Sequence, residues 1–203
     1  MSYYELATLD TVIFGAGKAS PGIEAWINAG KGQLCGAWST DIGTLNRVFV
    51  LRAFDDLGEM MGERERALRS DDPFGCTEHL TALSMESYRA LDFLPPVEPG
   101  NFGPVYEFRT YHTKVNGIVP TMEKWRLAVP ERKAYSKLTV AMYGLDGAPR
   151  LTQIWPYPSL AARTEARSKS VADGKWPPKG GPDWLSPGMT SQIAMPLPFS
   201  PLK

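Results

Sequence analysis

The sequence predicts an α+β fold in which one strand–helix–strand–strand–helix–strand unit occurs twice in tandem. Residues 4–9 (YELATL) are echoed by residues 106–111 (YEFRTY), and residues 54–57 (FDDL) by residues 157–160 (YPSL). Met85 is echoed by Met189, and residues 93–97 (FLPPV) by residues 198–202 (PFSPL). Four echoes in the same order indicate an internal duplication with small insertions. We therefore expect a first repeat over 1–97, a Pro/Gly linker over 98–103 and a second repeat over 104–203.

The elements of the second repeat follow from hydrophobic spacing and turn residues. Residues 105–112 alternate as a strand, and Val119, Met122 and Trp125 have helical spacing. Residues 137–143 and 151–155 are predicted strands on either side of a hairpin turn at Gly147. Ser159 is a predicted N-cap of a helix that runs to about residue 172, and the last strand covers 188–194.

The first repeat gives the same order of elements. Asp56 and Glu59 have the spacing of a capping box, and Asp71 and the following residues up to Pro73 end that helix. The first helix is predicted over 21–29. A βαββαβ order is typical of a ferredoxin-like unit, in which four antiparallel strands carry both helices on one face. The bare face of each sheet needs a partner, and the second copy in the same chain is the obvious one.

Composition restricts the class of protein. In 203 residues the hydrophobic fraction is 43% and the charged fraction 22%, values typical of a globular protein. We expect no membrane span and no signal peptide, and two cysteines fit a reducing compartment, so the expected location is the cytoplasm. The formal net charge of zero argues against nucleic acid as a partner.

The zero net charge hides a difference between the two halves. Residues 1–100 carry 8 Lys/Arg and 15 Asp/Glu, a net charge of −7, and residues 101–203 carry 14 and 7, a net charge of +7. This split has two interpretations, chance or an acidic half that docks on a basic half. A homo-oligomer is a further partner that the sequence allows.

Three segments resemble the NIPSNAP family. These are residues 106–111, residues 36–48 (GAWSTDIGTLNRV) and residues 54–57, which resemble the family's opening strand, its strand–turn–strand centre and the start of its second helix. The resemblance implies a dimeric α/β-barrel, in which two ferredoxin-like sheets face each other. It implies little about chemistry, because the family's activity is poorly defined. Its eukaryotic members are linked to mitochondria and protein contacts, and related barrels include cofactor-free oxygenases and haem enzymes.

The chain departs from the family pattern at two places. A histidine that often precedes a tryptophan by two residues on the third strand is replaced by Val50 and Gln153 in the two repeats. The arginine of the opening strand is kept as Arg109 but is Ala7 in the first repeat. The resemblance therefore implies that any shared chemistry is confined to the second repeat.

A candidate ligand-binding patch lies on the first and third strands of the second repeat. By alternation, Glu107, Arg109 and Tyr111 share one strand face, with Tyr106 and Phe108 expected towards the helices. On the adjacent strand Gln153 and Trp155 would complete a patch that lines the barrel interior. In this patch Arg109 could bind a carboxylate or phenolate, Trp155 could stack an aromatic ring and Glu107 could act as a base. The alternative is a structural Glu107–Arg109 ion pair buried at the interface between the two sheets.

The same strands of the first repeat carry Glu5 and Arg52. Arg52 is a further candidate for ligand binding, or a structural partner of Glu5. His112 is a weak catalytic candidate at the end of a strand, where a solvated edge is the default. His79 is a second isolated histidine.

Other chemical signals are weaker. Residues 12–20 (VIFGAGKAS) resemble a dinucleotide fingerprint but lack its continuation, so a strand–helix loop is the competing interpretation. We expect no metal site, because ligands at close spacing are absent, and no cofactor. Cys35 is expected in the core and Cys76 in a loop without an activating base. The irregular segment 174–187 is either a lid over the barrel mouth or a surface excursion.

Three function classes remain open at this point. The first is a barrel that binds a small aromatic or apolar ligand between its sheets, either as a binding protein or as a cofactor-independent enzyme. The second is a non-catalytic protein-interaction module, and the third is a haem-binding protein. A hollow interior would favour the first class, and a filled interior with an exposed apolar patch would favour the second.

Overall fold

The computed structural model describes residues 3–203 and contains eight strands and four helices. The first half of the chain carries β1 (Tyr3–Thr11), α1 (Gly15–Asn28), β2 (Gln33–Ile42), β3 (Arg47–Phe54), α2 (Leu57–Leu68) and β4 (Leu80–Ala90). The second half carries β5 (Val105–Thr113), α3 (Ile118–Arg132), β6 (Val140–Gly144), β7 (Arg150–Tyr157), α4 (Leu160–Ala172) and β8 (Leu185–Pro196). The predicted βαββαβ order is therefore confirmed in both copies.

The eight antiparallel strands form one closed barrel in the order β1-β3-β2-β8-β5-β7-β6-β4. Each half keeps the strand order of a ferredoxin-like unit, β4-β1-β3-β2 in the first and β8-β5-β7-β6 in the second. The halves join where β2 pairs with β8, for example Ser39 with Met195, and where β4 pairs with β6, for example Arg89 with Tyr143. The two sheets thus face each other within one chain, and no open sheet edge is left between them.

Two of the helices begin at the N-caps that the sequence predicts. The Asp56 carboxylate accepts a hydrogen bond from the backbone N–H of Glu59 at 2.9 Å, and the Ser159 hydroxyl accepts one from the N–H of Ala162 at 3.1 Å. Both N-caps are as predicted. Helix α1 instead begins six residues before the predicted start, at Gly15. The glycines of the dinucleotide-like segment lie in the first turn of this helix, which corrects the loop interpretation.

The core has three parts. An aromatic cluster fills the barrel interior, where Phe49 and Phe108 stack with ring centroids 4.5 Å apart and Trp38 meets Phe108 at 5.1 Å. A second cluster lies between the first half's sheet and α1, and a third between the second half's sheet and α3. Each sheet is therefore buried on both faces. None of the helices within residues 3–203 has the length and apolar character needed to cross a membrane.

Candidate functional site

The prediction of which face of β5 lines the barrel interior was wrong. Tyr106 and Phe108 belong to the interior cluster, whereas Tyr111 and Trp155 belong to the cluster beside α3. Glu107 contacts Arg163 of α4, so it also lies on the helix side. The alternation along β5 correctly places Glu107, Arg109 and Tyr111 on one strand face. It does not show whether that face meets the helices or the barrel interior, because both faces of the strand are buried.

Glu107 is the centre of a charged cluster between the sheet and α4. It is fully buried, and Arg109 Nη1 and Arg163 Nη2 each lie 2.5 Å from its Oε1. Ser191 of β8 donates a hydrogen bond to the same oxygen at 2.8 Å, and Arg167 Nη1 lies 3.8 Å from Oε2. The Glu107–Arg109 pair therefore exists, in the sheet–helix layer and not between the two sheets.

This surrounding determines the ionisation of Glu107. Burial opposes the charged form, but hydrogen bonds from Arg163, Ser191 and Arg109 and the charge of Arg109 outweigh it and lower the pKa to about 2. A carboxylate held so firmly in its ionised form is a weak proton acceptor at neutral pH. Glu107 therefore suits a structural or electrostatic role better than that of a general base.

The other predicted site residues lie near this cluster in different settings. Arg109 donates from Nε to the Tyr111 hydroxyl at 2.7 Å. The Trp155 indole N–H donates to the side-chain oxygen of Gln153 at 2.7 Å, and Gln153 Nε2 has no partner within residues 3–203. The Trp155 ring is 2% exposed and packed under the guanidinium of Arg132, 4.6 Å from the ring centroid, so it offers no open face.

A cavity of about 250 Å³ opens beside Tyr111 and Arg167. Trp125 of α3 and Trp176 of the 174–184 segment form an edge-to-face pair in its wall, with centroids 4.9 Å apart. The remaining wall is mostly apolar and consists of Val171, Pro177, Pro178, Gly181, Pro182, Leu185 and Met189. The irregular segment therefore covers a cavity on the helix side and not the barrel mouth.

The corresponding place in the first repeat is filled. Tyr111 corresponds to Leu9, which is fully buried, and Trp125 corresponds at the same sequence offset to Ile23, also fully buried. The segment between α2 and β4 inserts Phe74, with no exposed surface, into the cluster of α1. The two halves thus share a topology, but the second encloses an aromatic-walled cavity at a place where the described residues of the first are packed together.

Two further candidates, Arg52 and His112, lie outside the cavity. Arg52 is fully buried between Glu5 at 2.6 Å and Glu63 at 2.8 Å, which confirms the predicted structural pair with Glu5 and leaves no accessible guanidinium for a ligand. His112 lies on the opposite strand face from Glu107, at the other end of β5. The prediction that His112 takes part in catalysis stays untested.

The cysteines and histidines supply no evident reactive centre. Cys35 lies in the barrel interior, as expected, and burial raises its pKa to about 12. Burial, with the nearby charge of Asp72, raises the pKa of Cys76 to about 12. No group of three or more metal-ligating side chains occurs among residues 3–203, and neither His79 nor His112 lines the helix-side cavity.

Two other hollows are less suited to an aromatic ligand. One mouth of the barrel holds about 230 Å³ above Phe49 and Phe108, with walls of polar side chains that include Thr8, Ser84, Thr110, Thr152 and Thr190. A larger groove of about 490 Å³ between α4 and the turn that follows α3 is bordered by Lys137, Glu165 and Lys169 and lacks the indole walls. Below this mouth the barrel interior is filled by the aromatic cluster.

Comparison with known proteins agrees with this architecture. The model of the NIPSNAP family matches residues 4–87 and 106–201, which covers both halves. The chain belongs to the NIPSNAP family. A NIPSNAP protein of unknown function from Agrobacterium tumefaciens is 25% identical over 50% of this chain and 96% of its own, with a TM-score of 0.44. No curated protein matches the sequence.

Two solved structures match nearly the whole chain. A provisionally assigned monooxygenase from Lactobacillus acidophilus is 11% identical, with a TM-score of 0.68 over 96% of this chain and 93% of its own. An anthrone oxidase-like protein is 14% identical, with a TM-score of 0.61 over 97% and 91%. At these identities the likeness concerns the fold, which is the dimeric α/β-barrel that the NIPSNAP resemblance implied.

Sequence reasoning missed four residues of the site: Arg163, Arg167, Trp125 and Trp176. The two arginines are one helical turn apart on α4, and this spacing places both on the face that meets Glu107. That signal was available in the sequence. The position of Trp176 could not be foreseen, because it lies in a long segment without regular structure.

Proposed function

We propose that this NIPSNAP-family chain binds a small aromatic or apolar ligand in the second half, between the sheet and helices α3 and α4. The observation that carries the proposal is an aromatic-walled cavity of about 250 Å³ where the first half has a packed core. Concave, mostly apolar cavities with a few polar groups are the usual form of small-molecule sites. The proposed site differs from the one expected between the two sheets, where an aromatic cluster fills the middle of the barrel and the hollow of about 230 Å³ at one mouth has mostly polar walls.

The wall chemistry favours a flat, apolar ligand. The edge-to-face arrangement of Trp125 and Trp176 presents ring surfaces to the cavity, and aromatic rings pack well in such offset or perpendicular arrangements. Met189 and the prolines add apolar surface without hydrogen-bonding side chains. The volume is below the range of drug-sized pockets, which limits the ligand to about one or two rings.

The geometry supports binding more strongly than catalysis. Glu107, the candidate base, is fully buried, paired with arginines and held at a pKa of about 2. A neighbour of the same fold carries the name anthrone oxidase-like protein, but that likeness is one of fold, so the proposal rests on the cavity.

A second candidate, the interaction module, is favoured by exposed apolar side chains at one end of the barrel. Ile13, Phe14 and Leu45 are 73%, 85% and 60% exposed. Asn46 joins their two loops, because its side chain accepts a hydrogen bond from the Phe14 N–H at 3.2 Å. Sedimentation velocity of the wild type and of a Phe14→Ser, Leu45→Ser variant tests self-association through this patch; identical sedimentation of monomers would exclude it.

The binding proposal is tested with 2-naphthamide, an uncharged two-ring probe, titrated by calorimetry and by tryptophan fluorescence. We expect saturable binding with one site per chain. Val171→Trp enlarges a side chain in the cavity wall and is expected to weaken binding at least tenfold, because the ring occupies the ligand's space. Val119→Trp is the matched control: Val119 is 64% exposed on α3 and does not border the cavity.

The melting temperatures of both variants show whether the fold is retained. Equal loss of binding in the two tryptophan variants would place the probe elsewhere. Absence of saturable binding by any naphthalene probe at millimolar concentration would refute the proposal.

A further inference from the structure

The cluster beside the cavity carries an excess of positive charge. Arg109, Arg163 and Arg167 all have Glu107 as their one carboxylate contact within residues 3–203. Three cations therefore share one anion. The excess amounts to two positive charges in a partly buried layer, where charge is costly unless it is compensated.

The first half contains a better compensated version of the same cluster. Arg52 contacts Glu5 and Glu63, and Arg66 contacts Glu63. Arg64 lies between Glu5 and Asp146, which comes from the β6–β7 turn of the second half and also pairs with Arg150. Three arginines of the first half thus share two carboxylates of their own half and part of a third, whereas Arg109, Arg163 and Arg167 share Glu107 alone.

The least compensated cation borders the cavity. Arg167 lines the wall, and its guanidinium makes no hydrogen bond to any residue from 3 to 203. Its nearest carboxylate oxygen is 3.8 Å away. Burial and the neighbouring charge of Arg109 lower the pKa of Arg167, which is the expected response to too little negative charge nearby.

Tyr111 supplies a second donor to the same cavity. Its hydroxyl oxygen accepts the hydrogen bond from Arg109 Nε, and its own proton has no acceptor among the described residues. A phenol held in this way presents its O–H for donation. The cavity wall therefore combines indole surfaces with two hydrogen-bond donors, the Arg167 guanidinium and the Tyr111 hydroxyl. The Glu107 carboxylate is not part of the wall.

We propose that the cavity selects a one- or two-ring aromatic anion whose ring lies among Trp125 and Trp176 and whose charged oxygen contacts Arg167 and the Tyr111 hydroxyl. The inference rests on the proposed function and adds the ligand's charge to it. The anionic oxygen belongs to a carboxylate or a phenolate, since both offer the same acceptor to a guanidinium.

The test compares 2-naphthoate with 2-naphthamide, which have the same ring and nearly the same shape but differ in charge. We expect naphthoate to bind at least tenfold more tightly, as a charge-assisted hydrogen bond predicts. In Arg167→Gln the two probes should bind within about twofold of each other. Arg167→Lys should retain part of the preference, because it keeps the charge but loses the fork.

The matched control is Arg69→Gln, which removes one positive charge from an exposed position at the end of α2. It should leave the tenfold ratio unchanged. Added salt should weaken the binding of naphthoate and leave that of naphthamide unaltered, which gives a readout on the wild type that needs no variant. Titration of 4-nitrophenol on either side of its own pKa tells whether a phenolate is accepted as well as a carboxylate.

Each outcome separates this inference from the proposed function. Equal affinities for naphthoate and naphthamide would overturn the charge preference and leave the aromatic site in place. A preference that survives in Arg167→Gln would also overturn it, because the anion would then be held by other groups. Absence of binding by both probes would remove the site itself.

Discussion

Replacement of Glu107 by glutamine should remove the part of the pH dependence of stability that comes from ionisation of this carboxyl group. Glutamine has the shape of a protonated glutamate and cannot ionise. The folded-state pKa of about 2, against an ordinary value of 4.5, is a difference of about 2.5 units. At about 1.36 kcal/mol per unit, the ionised carboxylate stabilises the fold by about 3 kcal/mol at neutral pH.

The direction of the effect follows from the lowered pKa. The stabilisation is complete above the unfolded-state pKa and is lost as pH falls through 4.5 towards 2, because the folded protein must then take up a proton at a site built for the anion. The gap between wild type and Glu107→Gln is expected to be about 3 kcal/mol at pH 7. It should shrink to about 1 kcal/mol at pH 3.

Urea unfolding at a series of pH values, followed by circular dichroism, measures this gap. Glu65→Gln is the control, because Glu65 forms an exposed pair with Arg69 on α2 and should change stability by at most about 0.5 kcal/mol at any pH. A gap of the same size at pH 7 and pH 3 would refute the reasoning, since it would come from packing and not from ionisation. A gap below about 1 kcal/mol at pH 7 would show that burial of the carboxylate cancels its ion pairs.

Two further predictions concern packing and reactivity. Gly22→Ala should destabilise the fold by about 2 kcal/mol or more, because a Cβ there would lie 1.8 Å from the Gly75 carbonyl oxygen. Gly17→Ala on the same helix is the control, because its Cβ would contact no atom within 4 Å, and it should stabilise the fold by about 0.5 kcal/mol. Thermal unfolding compares the two variants, and equal effects on stability would contradict the close contact at Gly22. Cys35 and Cys76 should react slowly with Ellman's reagent at pH 8 until urea unfolds the chain, because burial raises both pKa values; fast reaction of the native protein would refute this.

The fold could be predicted because its signals are local and occur twice. The N-caps at Asp56 and Ser159 and the alternation of β5 each specify one element, and the ordered echoes specify the duplication. The start of α1 was missed because Gly15 and Gly17 are weak helix formers whose helical state is decided by tertiary contacts. Intrinsic preference cannot register such contacts.

Part of the membership of the site was predicted from the sequence, and its orientation was not. Glu107, Arg109 and Tyr111 lie on one face of β5, and Gln153 lies directly opposite Arg109 in the pairing of β5 with β7. The orientation of this strand face could not be predicted, because the sheet is buried on both sides and has no solvent-exposed polar face. Arg163 settles the question only in three dimensions, when α4 brings its guanidinium to Glu107.

The closure of the barrel inside a single chain has a consequence for its behaviour on dilution. The two sheets are joined by strand pairing along the β2–β8 and β4–β6 seams, each a few residue pairs long, and by the aromatic cluster between them, and residues 91–104 tether one half to the other. In a barrel assembled from separate chains, such contacts would dissociate as concentration falls, because association is a bimolecular equilibrium. Here the second half is always present at the high local concentration set by the tether. The closure of the barrel, and with it the cavity of the second half, therefore does not depend on protein concentration.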